Sequence, residues 1–155
     1  MKLMRKILFI CHGNICRSPM AESVMTHLVK EAGLEREFLI ASAATSREEI
    51  GNPVHYGTRQ KLREVGVALI PHRAVQVTKQ DYEKYDLLIG MDQWNIHNIE
   101  RITGRDRDEK IHLLLSFAGE SGDIADPWYT GNFDETYRDV LRGCQGLLEY
   151  CLKRK

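Results

Sequence analysis

The stretch "ILFICHGNICRSPMAE", Ile7 to Glu22, decides the fold of this chain. Its apolar beginning is typical of a buried strand with apolar side chains on both faces, as in a parallel sheet. Gly13 and Asn14 tolerate the positive φ angles of a cradle-shaped turn. Ser18 and Pro19 are typical of a helix N-cap followed by proline at the first helical position. A strand, a loop of exposed N–H groups and a helix N-terminus together indicate an anion-binding site.

The composition of the chain indicates one globular domain over residues 1–155. Hydrophobic residues make up 43% and charged residues 28%, which argues against a disordered chain or a membrane protein. Lys and Arg number 22, as do Asp and Glu, so no overall charge attracts the chain to nucleic acid or to anionic lipid. The composition therefore predicts neither nucleic acid nor a membrane as partner.

The apolar run near the N-terminus bears on localisation. Residues 7–10 are fewer than the about 7–15 apolar residues of a signal-peptide core, so the run is interpreted as a core strand. No segment approaches the about 18 apolar residues of a membrane-spanning helix. Four cysteines are too few for a disulfide scaffold of this size, which favours a reducing, cytoplasmic location.

Strand and helix patterns alternate along the rest of the chain. Apolar residues at helical spacing follow the loop and predict a helix that ends near Gly33. The patterns predict strands at residues 6–11, 37–43, 86–92 and 110–117. They predict helices at residues 54–64 and 93–102, a short helix capped by Thr78, and a last helix that follows residues 126–137 and runs to Leu152. This alternation predicts an α/β fold, a single-domain, doubly wound, four-stranded parallel sheet with helices on both faces and a phosphate-binding loop after strand 1. In such a sheet ligands bind beyond the carboxyl ends of the strands, where Cys11 lies.

Cys11 and Arg17 are predicted to face each other across this loop. A cysteine at a strand end is by itself often a small buried hydrophobic residue. Here a helix N-terminus and a guanidinium favour the thiolate, which is the nucleophilic form. Backbone N–H groups and Arg17 would hold the oxygens of a phosphate monoester while Cys11 attacks phosphorus in line. The pattern therefore predicts nucleophilic catalysis on a phosphate ester.

Such an attack needs an acid for the leaving oxygen, and Asp126 is the candidate. It lies in "DIADPWYTG", a loop after the last predicted strand that reaches the same edge of the sheet. An Asp-Pro pair is also a common turn. Trp128 and Tyr129 favour the catalytic interpretation, because aromatic side chains on a surface loop could form a wall for a flat substrate.

These motifs, in this order, resemble the low-molecular-weight protein tyrosine phosphatases. The resemblance rests on "CHGNICRSPMAE" and a late "DPWY", together with "SAATS", "PHRAVQVTKQDYEKYDLLIGMD" and "FDETYRDVLRGC". It implies hydrolysis of protein phosphotyrosine or a small aryl phosphate through a phosphocysteine intermediate, with no metal or other cofactor and with inorganic phosphate as product and inhibitor. At matching positions it implies Cys11 as the nucleophile, Arg17 as the clamp on the phosphate and transition state, and Asp126 as the acid and then the base for water.

The resemblance also implies roles for residues around these three. The phosphate-binding loop would include His12, Gly13, Asn14, Ile15, Cys16 and Ser18. Ser18 would hydrogen-bond the Cys11 thiolate. Asn14, Ser42 and His72 would form a network that holds the loop in its strained shape. Trp128 would form one aromatic wall of the substrate cleft.

Two positions bear on the substrate. A gap-free alignment of "SAATSREEIG" places Glu48 where eukaryotic members of the family tend to carry an aromatic residue. A carboxylate opposite Trp128 would weaken the stacking of a phosphotyrosine ring. Ile15 stands where related bacterial phosphoarginine phosphatases carry Thr, which favours an aryl phosphate. Packing beneath the loop is the other interpretation of Ile15.

The remaining cysteines have their own interpretations. Cys16 either packs beneath the helix start or acts as a redox partner that resolves an oxidised Cys11 as a disulfide. The resemblance favours the redox role. Cys144 and Cys151 lie seven residues apart on the last predicted helix and are expected to be structural.

Other functions were weighed as alternatives. A zinc site beginning at Cys11 and Cys16 is disfavoured because no His pair or second Cys pair of suitable spacing follows. A thioredoxin-coupled arsenate reductase of the same fold would need a further cysteine pair, and residues 17–143 contain none. A non-catalytic phosphoprotein-binding module would lack the nucleophile or the acid, and both are present. A protein arginine phosphatase is the remaining alternative.

Overall fold

The computed structural model describes residues 4–153. The strands are β1 (Arg5–Cys11), β2 (Phe38–Ala44), β3 (Leu87–Gly90) and β4 (Ile111–Leu113). The α-helices are α1 (Arg17–Glu31), α2 (Tyr56–Glu64), α3 (Lys79–Lys84), α4 (Gln93–Thr103), α5 (Pro127–Thr130) and α6 (Phe133–Lys153). Short 3₁₀ helices cover Glu35–Glu37 and Leu114–Ala118. Within the described residues, no helix combines the length and apolarity needed to cross a lipid bilayer.

The four strands form one open parallel sheet in the order β2-β1-β3-β4. The chain adds β2 on one side of β1 and β3 on the other, so the winding reverses beside β1. This reversal opens a crevice beyond the carboxyl ends of the central strands, where ligands bind in doubly wound sheets. Cys11 ends β1 at this edge and is in register with Ala44 of β2. The predicted doubly wound, four-stranded parallel α/β fold is confirmed.

Strand β1 is buried on both faces because its side chains alternate between two apolar layers. Ile7 and Phe9 pack into the larger core with α1 and α6. Leu8 and Ile10 pack into the opposite layer with α3 and α4. Fully burying side chains of this size contributes about 1.5–3 kcal/mol each. The strand is therefore a rigid support for the loop that follows Cys11.

The predicted fourth strand was wrong in its extent. It was expected at residues 110–117, but β4 ends at Leu113 and the chain turns into a 3₁₀ helix. The reason is close packing on α6. A Cβ atom at Gly143 would lie 2.5 Å from the Leu114 side chain, so the glycine lets this segment lie against the helix instead of extending the sheet.

The start of α1 also differs from the prediction. The helix begins at Arg17, and Ser18 is not its N-cap; Cys16 occupies that position without a side-chain cap. Ser18 Oγ instead contacts Cys11 Sγ and accepts a hydrogen bond from Asn14 Nδ2. Pro19 is the third helical residue, where its missing N–H removes no helix hydrogen bond.

Other boundaries shift by a few residues. Helix α2 begins at Tyr56 rather than at Val54, because the preceding Pro53 pairs with Arg73 in an isolated bridge. Strand β2 is displaced by one residue from the predicted range 37–43. Strand β3 ends at Gly90, before the predicted end at residue 92, because Asp92 caps α4. Helix α5 lies within the predicted loop, and α6 begins at Phe133, inside the segment expected to precede the last helix.

Candidate active site

The loop after β1 surrounds the sulfur of Cys11, a residue that is 3% exposed. Asn14 adopts a φ angle of 60° and donates its backbone N–H to Cys11 Sγ at 3.3 Å. Gly13, by contrast, does not use a positive φ. Ser18 Oγ lies 3.0 Å from the same sulfur. Because Asn14 Nδ2 already donates to Ser18 Oγ at 2.8 Å, the serine hydroxyl is free to donate to the sulfur. Both contacts stabilise a negatively charged sulfur.

The left-handed conformation of Asn14 is held by contacts beneath the loop. Its Oδ1 atom accepts the backbone N–H of Val75 at 3.2 Å and lies 2.6 Å from His72 Nε2. Since Oδ1 can only accept, His72 carries its ring hydrogen on Nε2. A left-handed non-glycine residue costs on the order of 1–3 kcal/mol, and these hydrogen bonds offset that cost.

Ser42 was predicted to join this network, and it does so through Glu22. The Ser42 hydroxyl donates to Glu22 Oε1 at 2.6 Å, and this oxygen lies 4.0 Å from His72 Nδ1. Burial raises the pKa of Glu22 and lowers the pKa of His72, so it disfavours the charged form of each. The contact is therefore better described as polar than as an ion pair. The sequence analysis missed Glu22; its place one helical turn after Ser18 was the available signal.

Arg17 enters the site from the first position of α1 and is 2% exposed. Its Nη1 donates to Asp92 Oδ2 at 2.7 Å and to the Ile124 carbonyl at 2.8 Å, and its Nη2 lies 3.5 Å from Asp126 Oδ2. Burial alone would lower the pKa of Arg17, but Cys11, Asp92 and Asp126 together raise it above its ordinary value. The guanidinium is therefore charged and fixed in orientation.

Asp92 is a second residue that the sequence analysis missed. It caps α4, where its Oδ1 accepts the N–H of Asn95 at 2.7 Å while Oδ2 accepts from Arg17. The available signal was a carboxylate directly after β3, since β3 pairs with β1 and the two strands end at the same edge.

Asp126 caps the short helix α5. Its Oδ1 accepts the N–H of Trp128 at 3.0 Å, which leaves Oδ2 directed toward Arg17. Part of the segment that the sequence predicted as a loop is therefore helical. The Asp126 side chain is 24% exposed, which gives it access to both the cleft and solvent.

A cleft of about 90 Å³ lies over the Cys11 sulfur. It brings together most of the predicted site residues. The lining consists of Cys11, His12, Gly13, Asn14, Ile15, Cys16, Arg17, Glu48, Glu49, Asp126, Trp128 and Tyr129. Three predicted residues, Ser18, Ser42 and His72, lie outside this lining and contact the loop or its supports instead.

The rim of the cleft is acidic. Glu48 Oε2 lies 2.8 Å from His12 Nε2, and both side chains are exposed, at 68% and 40%. Glu49 lies against the loop, since a Cβ atom at Gly13 would lie 3.4 Å from its Cγ. The sequence analysis did not predict Glu49 as a site residue. Within the described residues, Arg17 is the one Lys or Arg that lines the cleft.

All four cysteines are free thiols in this structure. Burial, followed by the influence of Cys11, raises the pKa of Cys16 to about 12. Burial also raises the pKa of Cys144, and it raises the pKa of Cys151 to about 11. Both of these thiols lie in the apolar core, as expected for structural cysteines. Among residues 4–153, no cluster of three His, Cys, Asp or Glu side chains could hold a metal ion.

Comparisons with known proteins agree with this geometry. The family model described as low molecular weight phosphotyrosine protein phosphatase matches residues 6–155. The chain is similar to the low molecular weight protein-tyrosine-phosphatase YfkJ of Bacillus subtilis, with 40% identity over 154 residues, covering 98% of this chain and 99% of that protein. The crystal structure of YfkJ matches with a TM-score of 0.94 and covers 98% of this chain and 97% of that one.

Two further solved structures are similar. The low molecular weight protein tyrosine phosphatase SP-PTP of Streptococcus pyogenes is 40% identical, with a TM-score of 0.86, covering 95% of this chain and 93% of that one. DARP, a Drosophila arginine phosphatase, is 28% identical, with a TM-score of 0.87, covering 97% of this chain and 99% of that one. The family match and the YfkJ relative each span nearly the whole chain, and on that evidence it belongs to the low molecular weight phosphotyrosine protein phosphatase family.

Proposed function

We propose that this protein hydrolyses phosphotyrosine in proteins, and small aryl phosphates, through a phosphocysteine intermediate. The observation that carries the proposal is the convergence of the Cys11 sulfur, the Arg17 guanidinium and the Asp126 carboxylate on one cleft. Membership of the family supports the same function, as does the similarity to YfkJ, which is named a protein-tyrosine-phosphatase.

In the first step the phosphate dianion binds in the loop, where backbone N–H groups and Arg17 pair with its oxygens. The Cys11 thiolate attacks phosphorus, so a P–S bond forms as the P–O bond to the phenol breaks. Asp126 gives its proton to the leaving oxygen, and the phenol departs neutral. The charge that spreads over the phosphoryl oxygens in the transition state is stabilised by groups that are already in place.

In the second step Asp126 acts as a carboxylate. It takes a proton from water as the water oxygen attacks the phosphorus of the phosphocysteine. The P–S bond breaks, its electron pair returns to Cys11, and inorganic phosphate leaves. Because inorganic phosphate fits the same loop, we expect it to be a competitive inhibitor as well as the product.

The acidic rim shapes the substrate preference within this function. Glu48 and Glu49 line the cleft, while the charge of Arg17 is directed to the phosphate. A carboxylate interacts with a neighbouring unit charge by about 1 kcal/mol at ~4 Å in water. We therefore expect phosphotyrosine with basic flanking residues to be preferred over phosphotyrosine with acidic ones.

The same two carboxylates favour one second candidate function, that of a protein arginine phosphatase. Glu48 or Glu49 could accept hydrogen bonds from the guanidinium of phosphoarginine. The similar structure of DARP is that of an arginine phosphatase. Against this candidate stands Ile15, which lines the cleft with an apolar side chain that favours an aryl group.

We also propose that residues 1–155 act as one phosphatase domain in the cytoplasm. The family model matches residues 6–155 without division, which supports the single domain. The mechanism needs Cys11 as a free thiolate, and Cys16 in the same loop is also a free thiol. A reducing compartment maintains both cysteines in that state.

Phosphate release from p-nitrophenyl phosphate, a phosphotyrosine peptide and phosphoarginine tests the proposal. We expect the first two to be hydrolysed in preference to phosphoarginine, and acid quenching to trap phosphate on Cys11. Cys11→Ser should abolish turnover but keep phosphate binding, because the loop N–H groups and Arg17 remain. Preferential hydrolysis of phosphoarginine would favour the second candidate. Phosphate binding without turnover of any substrate would instead indicate a binding module.

A further inference from the structure

His55 lies between the phosphate-binding loop and the segment that carries Asp126. It is the N-cap of α2, and its Nδ1 accepts the backbone N–H of Gly57 at 2.9 Å. Its own backbone N–H donates to the Ile15 carbonyl of the loop at 2.8 Å. The start of α2 contacts the loop once more, where Thr58 Oγ1 donates to the Cys16 carbonyl at 3.0 Å. The position of the imidazole is therefore tied to the loop that holds the nucleophile.

The other side of the imidazole contacts the acid segment. Its ring stacks on Phe133 at a centroid distance of 5.4 Å and an interplanar angle of 14°. The ring of Trp128 meets the imidazole edge-on at 5.6 Å and 77°. Trp128 itself is 56% exposed. The N–H of Trp128 in turn donates to Asp126 Oδ1 at 3.0 Å.

Gly57 keeps this stack together. A Cβ atom at Gly57 would overlap the Phe133 ring, so only glycine lets the ring lie against the turn that His55 caps. The contacts form a continuous path from Ile15, through His55 and Trp128, to Asp126. An imidazole suits the position because it combines a flat ring that stacks with a nitrogen that caps the helix.

We propose that His55 is a positioning residue for the acid–base step, which places Asp126 relative to Cys11 through the Trp128 ring. This inference rests on the proposed phosphatase function. It predicts that loss of the imidazole ring impairs proton transfer to the leaving group more than it impairs phosphate binding. Loss of a merely structural residue would impair proton transfer and phosphate binding alike.

Two substitutions separate the ring from the cap. His55→Asn retains an N-capping side chain but removes the ring, and His55→Phe retains a ring but removes the cap acceptor. The matched control is His97→Asn, because His97 also stacks on an exposed tryptophan, Trp94, at 5.4 Å, but on helix α4. Circular dichroism and thermal unfolding establish that each variant is folded.

Steady-state assays with phenyl phosphate and p-nitrophenyl phosphate provide the test, together with inhibition by inorganic phosphate. For His55→Asn we expect kcat/KM with phenyl phosphate, which covers only the steps up to release of the phenol, to fall at least about 10-fold. An acid out of place forfeits much of the ~10²–10⁴-fold that general acid catalysis contributes. With p-nitrophenyl phosphate the fall should be under about 3-fold, because that phenolate leaves with little protonation. The inhibition constant of inorganic phosphate should be unchanged. His55→Phe should keep the wild-type ratio of the two substrates but unfold at a lower temperature.

The outcomes distinguish a failure of the His55 role from a failure of the proposed phosphatase function. An equal loss with both esters, an altered inhibition constant for phosphate in His55→Asn, or the same selective loss in His97→Asn would overturn the positioning role. A His55→Asn variant with wild-type kinetics would also overturn it. A folded wild-type protein that hydrolyses neither ester would refute the phosphatase function itself, and the role of His55 with it.

Discussion

Replacing Asp92 by Asn is expected to lower kcat/KM about 10-fold by weakening the orientation of Arg17. The two side chains form a hydrogen bond of 2.7 Å; the Arg17 side chain is 3% exposed and the Asp92 side chain 21%. If the Oδ1 of Asn keeps the cap on α4, its Nδ2 faces the Arg17 donor, and the bond to the guanidinium is lost. A hydrogen bond to a charged group contributes about 1.5–3 kcal/mol. Arg17 Nη1 retains its bond to the Ile124 carbonyl at 2.8 Å, so we take the lower end, about 1.5 kcal/mol, as the loss in the energy that holds the guanidinium toward the phosphate. About 1.4 kcal/mol in the transition state corresponds to a factor of ten in rate.

Asparagine is the informative replacement because it retains the second role of Asp92. Asp92 Oδ1 caps α4 by accepting the N–H of Asn95 at 2.7 Å. Asn and Asp are about equally good N-caps, so the free energy of unfolding should change by about 0.5 kcal/mol or less. A loss of activity without a comparable loss of stability then reports on Arg17.

The assay measures kcat and KM with p-nitrophenyl phosphate, and urea denaturation measures the free energy of unfolding. Asp123→Asn is the matched control, since Asp123 Oδ1 accepts the N–H of Gln93 at the start of the same helix at 3.0 Å. Within the described residues Asp123 makes no hydrogen bond to Arg17. Wild-type kcat/KM in Asp92→Asn would refute the reasoning, as would equal losses in the two variants.

Three further predictions concern the acid, the redox pair and the cleft rim. Asp126→Ala is expected to lose about 10²–10⁴-fold in kcat/KM with phenyl phosphate and far less with p-nitrophenyl phosphate; equal losses of kcat/KM would exclude Asp126 as the acid. Mild peroxide is expected to inactivate the enzyme reversibly, because it oxidises the Cys11 thiolate to a sulfenic acid from which the Cys16 thiol displaces water to form a disulfide. Peptide mass spectrometry checks that pairing, a thiol should restore activity, and Cys11 joined to another cysteine would contradict the prediction. Glu48→Trp is expected to lower KM for aryl phosphates several-fold, because an aromatic pair contributes about 0.5–1.5 kcal/mol; an unchanged KM would show that Glu48 does not contact the substrate.

The sheet and the phosphate-binding loop could be predicted because their signals are local. The apolar run before Cys11 specifies a buried central strand, and Asn14 tolerates the positive φ that the structure shows at that residue. The extent of the fourth strand could not be predicted in this way. It depends on the packing of Leu114 against Gly143, which lies 29 residues further along the chain.

Asp92 and Glu22, two of the residues missed in the site, share one property, which is that their partners are distant in sequence. Asp92 and Arg17 are 75 residues apart, and Glu22 and Ser42 are 20 apart. Neither carboxylate belongs to a motif that contains its partner. Only the order of the strands, which places β3 beside β1, brings Asp92 to the guanidinium. For such residues, pattern analysis can indicate the edge of the sheet but not the contact.

Helix N-caps around the cleft hold side chains of the site in place. Asp92, Asp126 and His55 cap α4, α5 and α2, and each uses one side-chain atom for the helix. The remaining carboxylate oxygens face Arg17, and the imidazole ring of His55 packs on Trp128. A cap fixes a side chain to the backbone, so little rotamer freedom is left to lose when the transition state forms. The loops that follow parallel strands lie at one edge of the sheet, and the next helices begin there. A carboxylate that caps a helix at this edge therefore lies within reach of the phosphate-binding loop. For this reason we expect substitutions that keep the cap, such as Asp92→Asn and His55→Asn, to affect the orientation of Arg17 or the rate of the acid–base step before they affect the stability of the fold.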